Sequence, residues 1–301
     1  GQPPEGYYNS AAGLTGKDLL QALHDIIDGH TTLDYSALWQ AFSTTDVKAD
    51  GVTIWDIYSD KPGVTPAYTY TIFTKQCGTY QKEGDCYNRE HSFPKSWFND
   101  APPMYTDLFH IYPTDGWVNN KRGNLPYGET STPAWTSTNG SMVGPSSIQG
   151  YLGNVFEPVD EYKGDLARTY FYVATRYYGE DSQWPGGDMT TGAQPKPWAV
   201  SMLLAWHLAD AVSTKEVNRN NEVYRYQGNR NPFIDDPILA EKIWGTLNSV
   251  EKTREDRLSM TLWPNPANDF LNISISGHSC SGSIVYVYDR GGCLVMMATA
   301  E

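Results

Sequence analysis

Residues 87–98 read YNREHSFPKSWF, and the adjacent pair Glu90 and His91 poses the question that decides the fold. Neighbours in a regular strand point to opposite faces, so these two can serve one site only where the backbone bends. Asn88 and Arg89 precede them, and a second polar cluster, DLFHIYPTDGWVNNKRGNLPYG at 107–128, follows. Its Asp, His, Asn, Lys and Arg stand among prolines and glycines, a poor recipe for a core. As bare residue types the same letters also suit a surface loop.

The chemistry that fits them is phosphodiester hydrolysis. An unperturbed imidazole titrates near pH 6.5 and can take a proton from water at physiological pH. A hard cation such as Mg²⁺ keeps several waters and needs few protein oxygens, which Glu90 and Asn119 can supply. Such a cation stabilises charge developing on phosphate and leaving oxygen.

At 301 residues, with 13% aromatic and 19% charged side chains, the chain has the composition of a globular protein. No apolar run of about 18 residues is present to span a bilayer. The first residues, GQPPEGYYNSAAG, lack the basic and apolar regions of a signal peptide, which is expected to be absent or already removed. Cys77 with Cys86 and Cys280 with Cys293 form two local pairs without the C-x-x-C spacing of structural zinc, so two short-loop disulfides in an exported protein are expected. The net charge of −13 has the wrong sign for a nucleic-acid partner, unless a basic cleft sits on an acidic body.

Along the chain, TGKDLLQALHDII at 15–27 predicts a helix burying Leu19, Leu20, Leu23, Ile26 and Ile27. Further helices are predicted at 164–178, 197–211 and 213–226, the last with a Ser213/Glu216 capping box, and after Asp236 with Pro237 in its first position. AYTYTIFT at 67–74 predicts a strand. His24, His30 and His207 read as structural, and His278 falls in the C-terminal part. After EKTREDR (251–257) the texture changes to short alternating segments, giving a domain at 1–256 and a β-rich region at 257–301.

YNREHSFPKSWF followed by DLFHIYPTDGWVNNKRGN resembles the endonuclease I family of exported, nonspecific nucleases with a ββα-metal (His-Me finger) site. FEPVDEYKGDLARTYFYVATRYY, WHLADAVSTKEVNRNNEVYRYQGNRNPFIDDP and IWG extend the resemblance, in order, over roughly residues 50–245. It implies an α+β fold, His91 as general base and Glu90 and Asn119 as ligands of a single Mg²⁺ or another hard divalent cation. The histidine would sit where a strand gives way to a loop, and the asparagine on the helix that follows. Lys121 and Arg122 are assigned to phosphate contacts, and Asn229, Arg230 and Asn231 to the border of the site or to a structural turn. Some relatives carry an arginine between the EH pair and the Asp-Leu segment; here 92–106 offers Lys95. His110 stands where many relatives have Asn, and would position Asp107 or pack.

The implied partner is DNA, with RNA left open, and the implied products carry 5′-phosphates. A monomer, secreted or at the surface of a Gram-negative cell, is expected, with the periplasm as the alternative. Trp263–Ala267 (WPNPA) resembles the opening of a type IX secretion C-terminal sorting domain, a handle for secretion machinery. The rival reading is a catalytically inactive secreted protein that binds DNA or glycans through its many Trp and Tyr.

Overall fold

The computed structural model describes residues 2–248 and the segments 259–263, 272–276, 284–288 and 294–299. Helix α1 (Gly16–Ile27) buries Leu19, Leu20, Leu23 and Ile27 of the predicted stripe, and Ile26 is half-buried against the core. Helix α2 (Leu38–Thr45) was not anticipated, although Leu38, Ala41, Phe42 and Thr45 bury an i, i+3, i+4, i+7 stripe of the same kind. The strand expected at 67–74 does not form. Its ladder contact among the described residues is an isolated bridge from Thr71 to Thr53, and positive φ at Phe73 (61°) and Lys75 (55°) turns the chain out of extended geometry. Of its aromatics Tyr70 alone enters the core, where its hydroxyl donates to Asp115 Oδ2 at 2.6 Å; Tyr68 is half-buried and Phe73 exposed.

The central unit is strand, strand, helix. β1 (Tyr87–His91) pairs antiparallel with β2 (Ile111–Asp115), placing Glu90 opposite Tyr112 and His91 opposite Ile111. Asp115 then caps α3 (Gly116–Arg122), Oδ1 accepting the Val118 amide at 2.9 Å. Gly123, at φ 55°, stops this helix, a conformation that glycine adopts without the Cβ penalty. A three-stranded antiparallel sheet follows from β3 (Trp135–Thr136), β4 (Met142–Pro145) and β5 (Asn154–Glu157).

Helix α4 (Lys163–Arg176) is buried along its whole length. Its charges survive there because they are paired: Arg168 holds Glu216 through Nε and Nη2 at 2.5 and 2.9 Å, and Asp165 takes Lys215 at 2.5 Å. After a small β6–β7 pair (Thr190–Thr191, Gln194–Pro195), α5 (Pro197–Ala209) packs on α4. α6 (Thr214–Gln227) opens with the predicted Ser213/Glu216 capping box, and α7 (Pro232–Asp235) and α8 (Ile238–Asn248) complete the unit.

The fold is α+β. Cys77 and Cys86 are joined in a disulfide, as the sequence predicts. No helix among the described residues is long and apolar enough to cross a membrane. The contacts divide the chain into residues 1–248 and 249–301. In the second unit β8 (Ser259–Trp263) pairs with β9 (Asn272–Ser276) and β10 (Ile284–Tyr288) with β11 (Leu294–Thr299). Most of the sorting-type motif, the boundary expected at 256–257, His278 and the pair Cys280 and Cys293 lie outside the described residues.

Candidate active site

β1 is bonded along one edge to β2, and its other edge carries a bridge from Gln76 at Tyr87. At His91 the chain leaves the strand and turns through Ser92–Pro94 into a short 3-10 helix at Lys95–Trp97. A cleft of about 340 Å³ opens at this end, lined by Glu90, His91 and Lys95 and, from α3 and the turn after it, by Asn119, Asn120 and Asn124. Glu90 lies on the strand face that α3 covers, and His91 on the face packed by Tyr35 and Tyr105. The cleft wraps the open end of the strand, so it receives both. Neighbouring residues thereby reach one site with little distortion of the strand itself.

Glu90 is 4% exposed. Its Oε1 accepts from Tyr58 Oη at 3.0 Å and from Arg122 Nη1 at 2.9 Å, and the amide of Asn119 also bears on the carboxylate. Tyr58 and Arg122 thus share one of the two carboxylate oxygens. Burial raises the carboxyl's pKa, and the guanidinium of Arg122 with the Tyr58 and Asn119 hydrogen bonds opposes that rise. Asn119 Nδ2 donates one of its two N–H groups to Asn88 Oδ1 at 2.8 Å, and its amide oxygen is a candidate ligand atom.

His91 Nε2 lies 3.0 Å from the carbonyl oxygen of Tyr105. A carbonyl can only accept, so Nε2 carries the proton and Nδ1 presents a lone pair. Burial pushes the pKa of this ring down to about 3, and His110, Lys95 and Arg89 push the same way. The imidazole is therefore neutral at physiological pH.

Four of the residues that the sequence offers as substrate contacts are buried in contacts within the protein. Arg122, read from sequence as a phosphate ligand, is 1% exposed; besides Glu90 it donates to the carbonyls of His91 (3.0 Å), Ser92 (2.6 Å) and Leu125 (3.0 Å) and lies over the Tyr127 ring. It is a buried brace between the helix and the strand end. Asn229, Arg230 and Asn231 are also buried and form the turn between α6 and α7, away from the cleft lining. Asn229 donates to Ile27 O and Tyr172 Oη, Arg230 grips Asp235 at 2.6 and 2.7 Å, and Asn231 caps α7 through the Phe233 amide. Lys121 stays exposed on α3, above the rings of Trp117 and Trp135, and is not among the cleft-lining residues.

His110 packs against His91 at 5.4 Å between ring centres and donates through Nε2 to Met104 O at 2.7 Å. Asp107 is held by Tyr172, Tyr177 and Gln227, so His110 is a packing residue and not its orienter. Sequence reasoning passed over Tyr58, which orients the carboxylate, and Arg89, which lines the cleft; an arginine inside YNREH was the available signal. It also treated His24 as purely structural, whereas His24, Asp28 and Glu180 bring ligand atoms within 4.8 Å of one another. Arg176 Nη1 already stands 2.8 Å from both carboxylates, so a guanidinium offsets part of their charge.

The chain belongs to the endonuclease I family, whose model matches residues 15–238. Among curated relatives it is 37% identical over 251 residues to an extracellular ribonuclease of Bacillus amyloliquefaciens, covering 80% of this chain and 78% of that one. It is 35% identical over 248 residues to the extracellular ribonuclease of Bacillus subtilis (strain 168), covering 79% and 78%. An Endonuclease-1 of Buchnera aphidicola subsp. Baizongia pistaciae is 28% identical over 130 residues, covering 43% and 46%.

Proposed function

We propose that this protein is a secreted, metal-dependent endonuclease that hydrolyses phosphodiester bonds in DNA and RNA with little base preference. The observation that carries the reading is the cleft itself: Glu90, His91 and Asn119, separated by up to 29 positions in the chain, line one space at the end of β1. Family membership and the extracellular nucleases among the relatives support the substrate class and the export.

The residues divide the work. Tyr105 O holds His91 Nε2–H, so Nδ1 is the atom that takes the proton from the attacking water. Burial keeps the ring unprotonated at physiological pH, so its lone pair is open to a proton. Glu90, steadied by Tyr58 and Arg122, and Asn119, steadied by Asn88, form an oxygen-only donor set suited to a hard divalent cation such as Mg²⁺. When bound there, such a cation supplies the charge stabilisation that the phosphorane-like transition state and the leaving 3′-oxygen require. Arg89 on the cleft, where Lys95 is paired with Asp100, and exposed Lys121 on α3 give local attraction to phosphate on a body of net charge −13. Contacts of this kind grip backbone, not base edges, which accounts for low sequence preference.

The test is a gel assay of plasmid and RNA with Mg²⁺ or EDTA, on the wild-type chain and on His91→Ala. Cleavage lost in EDTA and reduced at least about 100-fold in a folded His91→Ala is expected for loss of a general base. Undiminished cutting in EDTA would overturn the metal-dependent mechanism.

A further inference from the structure

Arg89 differs from the other arginines of the described residues. Arg122, Arg168, Arg176, Arg219, Arg225 and Arg230 each pair with a carboxylate, and Arg89 pairs with none. Its guanidinium lies 3.5 Å from the ring centre of Tyr35 and 4.5 Å from that of Trp39, while Nη1 donates to the Tyr35 carbonyl at 2.8 Å. Most of its five N–H donors are left over. In so acidic a chain, an arginine that is fixed, half-buried and without a counter-charge is poised for an anion that arrives from outside.

Its position indicates which anion. Arg89 lines the catalytic cleft and also a second cavity of about 470 Å³, bordered by Tyr35, Trp39, Gln76, Gly78 and Asn88. The two spaces therefore meet at this side chain. Aromatic rings and amide side chains around a cationic centre are the parts from which sites for unpaired nucleotides are made: rings and guanidinium for the base face, amides for base edges, arginine for phosphate. A base stacked inside a duplex could not enter such a cavity.

We propose that this second cavity is a subsite for an unpaired nucleotide next to the scissile linkage, with Arg89 binding its phosphate and the Trp39–Gln76 wall receiving its base. The proposal rests on reading the neighbouring cleft as a phosphodiesterase site, and it adds a preference for single-stranded over duplex substrate.

The experiment is a titration of the full chain with a fluorescent single-stranded octanucleotide, and with a duplex of the same sequence, in EDTA over a range of salt concentrations. Arg89→Gln should raise the Kd for the single strand about tenfold, as for a lost hydrogen bond to a charged group, and flatten the log K against log salt slope by about 0.7. Gly78→Asp adds a carboxylate to the cavity lining where a Cβ meets nothing within 4 Å, so it should fold normally and weaken the single strand severalfold. The duplex should lose less than threefold in either variant. Wild-type affinity and slope in Gly78→Asp and in folded Arg89→Gln overturn the subsite, and equal losses on duplex overturn its preference for an unpaired nucleotide. Should Arg89→Gln not fold, Gly78→Asp alone decides. Failure of the nuclease reading looks different: the wild-type chain leaves plasmid and RNA uncut in Mg²⁺ while these binding differences persist.

Discussion

Replacing Arg122 by methionine keeps a long apolar stem and removes the charge. In the native protein that guanidinium satisfies Glu90 Oε1 and three main-chain carbonyls within 3.0 Å, all at a buried position. Breaking a buried pair from one side leaves an uncompensated carboxylate, which together with the orphaned carbonyls costs about 4–5 kcal/mol. For a domain of this size the melting temperature should fall by roughly 10–15 °C. Urea unfolding of the wild type, Arg122→Met, Glu90→Gln and the double variant forms a cycle that isolates the pair. Because Glu90→Gln removes the stranded charge, the double variant should be more stable than the sum of the single losses implies, by about 2 kcal/mol or more. Additivity within about 0.5 kcal/mol would refute the brace described above.

Acid sensitivity should trace to the buried imidazoles. Folded His110 takes its proton only near pH 4, while the unfolded ring takes it near 6.5, so between these values the unfolded chain holds more protons and stability falls as pH drops. His110→Asn should reduce the loss in unfolding free energy between pH 7 and 4 by up to about 3 kcal/mol, and an unchanged acid slope would contradict the assignment. The Cys77–Cys86 bridge closes a short loop that carries Tyr80 to the cleft wall, where the ring packs so tightly on Gly116 that a Cβ there would stand 2.6 Å away. Cys77→Ser/Cys86→Ser should therefore lose roughly 2–3 kcal/mol of stability, and KM should rise more than kcat falls. Kinetics that move only in kcat would place the loop's influence elsewhere.

Helices α1, α4, α5 and α6 were legible because apolar spacing, a capping box and a proline at a helix start are local signals. The stretch 67–74 misled because alternating aromatics meet the demands of a half-buried strand and of an irregular segment that anchors itself by one buried ring equally well; the positive φ values at Phe73 and Lys75 have no signature in those residue types. Arg122 failed for a related reason. An arginine beside a cluster of polar residues reads as a hand held out to phosphate, and its burial emerges only when α3 is laid on β1. The lone status of Arg89 was equally hidden, since it is defined by which carboxylates lie elsewhere. Sequence carried the residue types of the cleft, and packing decided which of them face it.

The α4 helix, closed to solvent on every side, has a kinetic corollary. Its amides cannot exchange by fraying of an exposed face, so they should be the last of the described residues to take up deuterium, at a rate set by opening of the whole first unit. A protein built around such a spindle would resist proteases until it opens as a single body, through the same burial that holds Tyr170 beneath the strand end, its hydroxyl on Ser92 O at 3.0 Å.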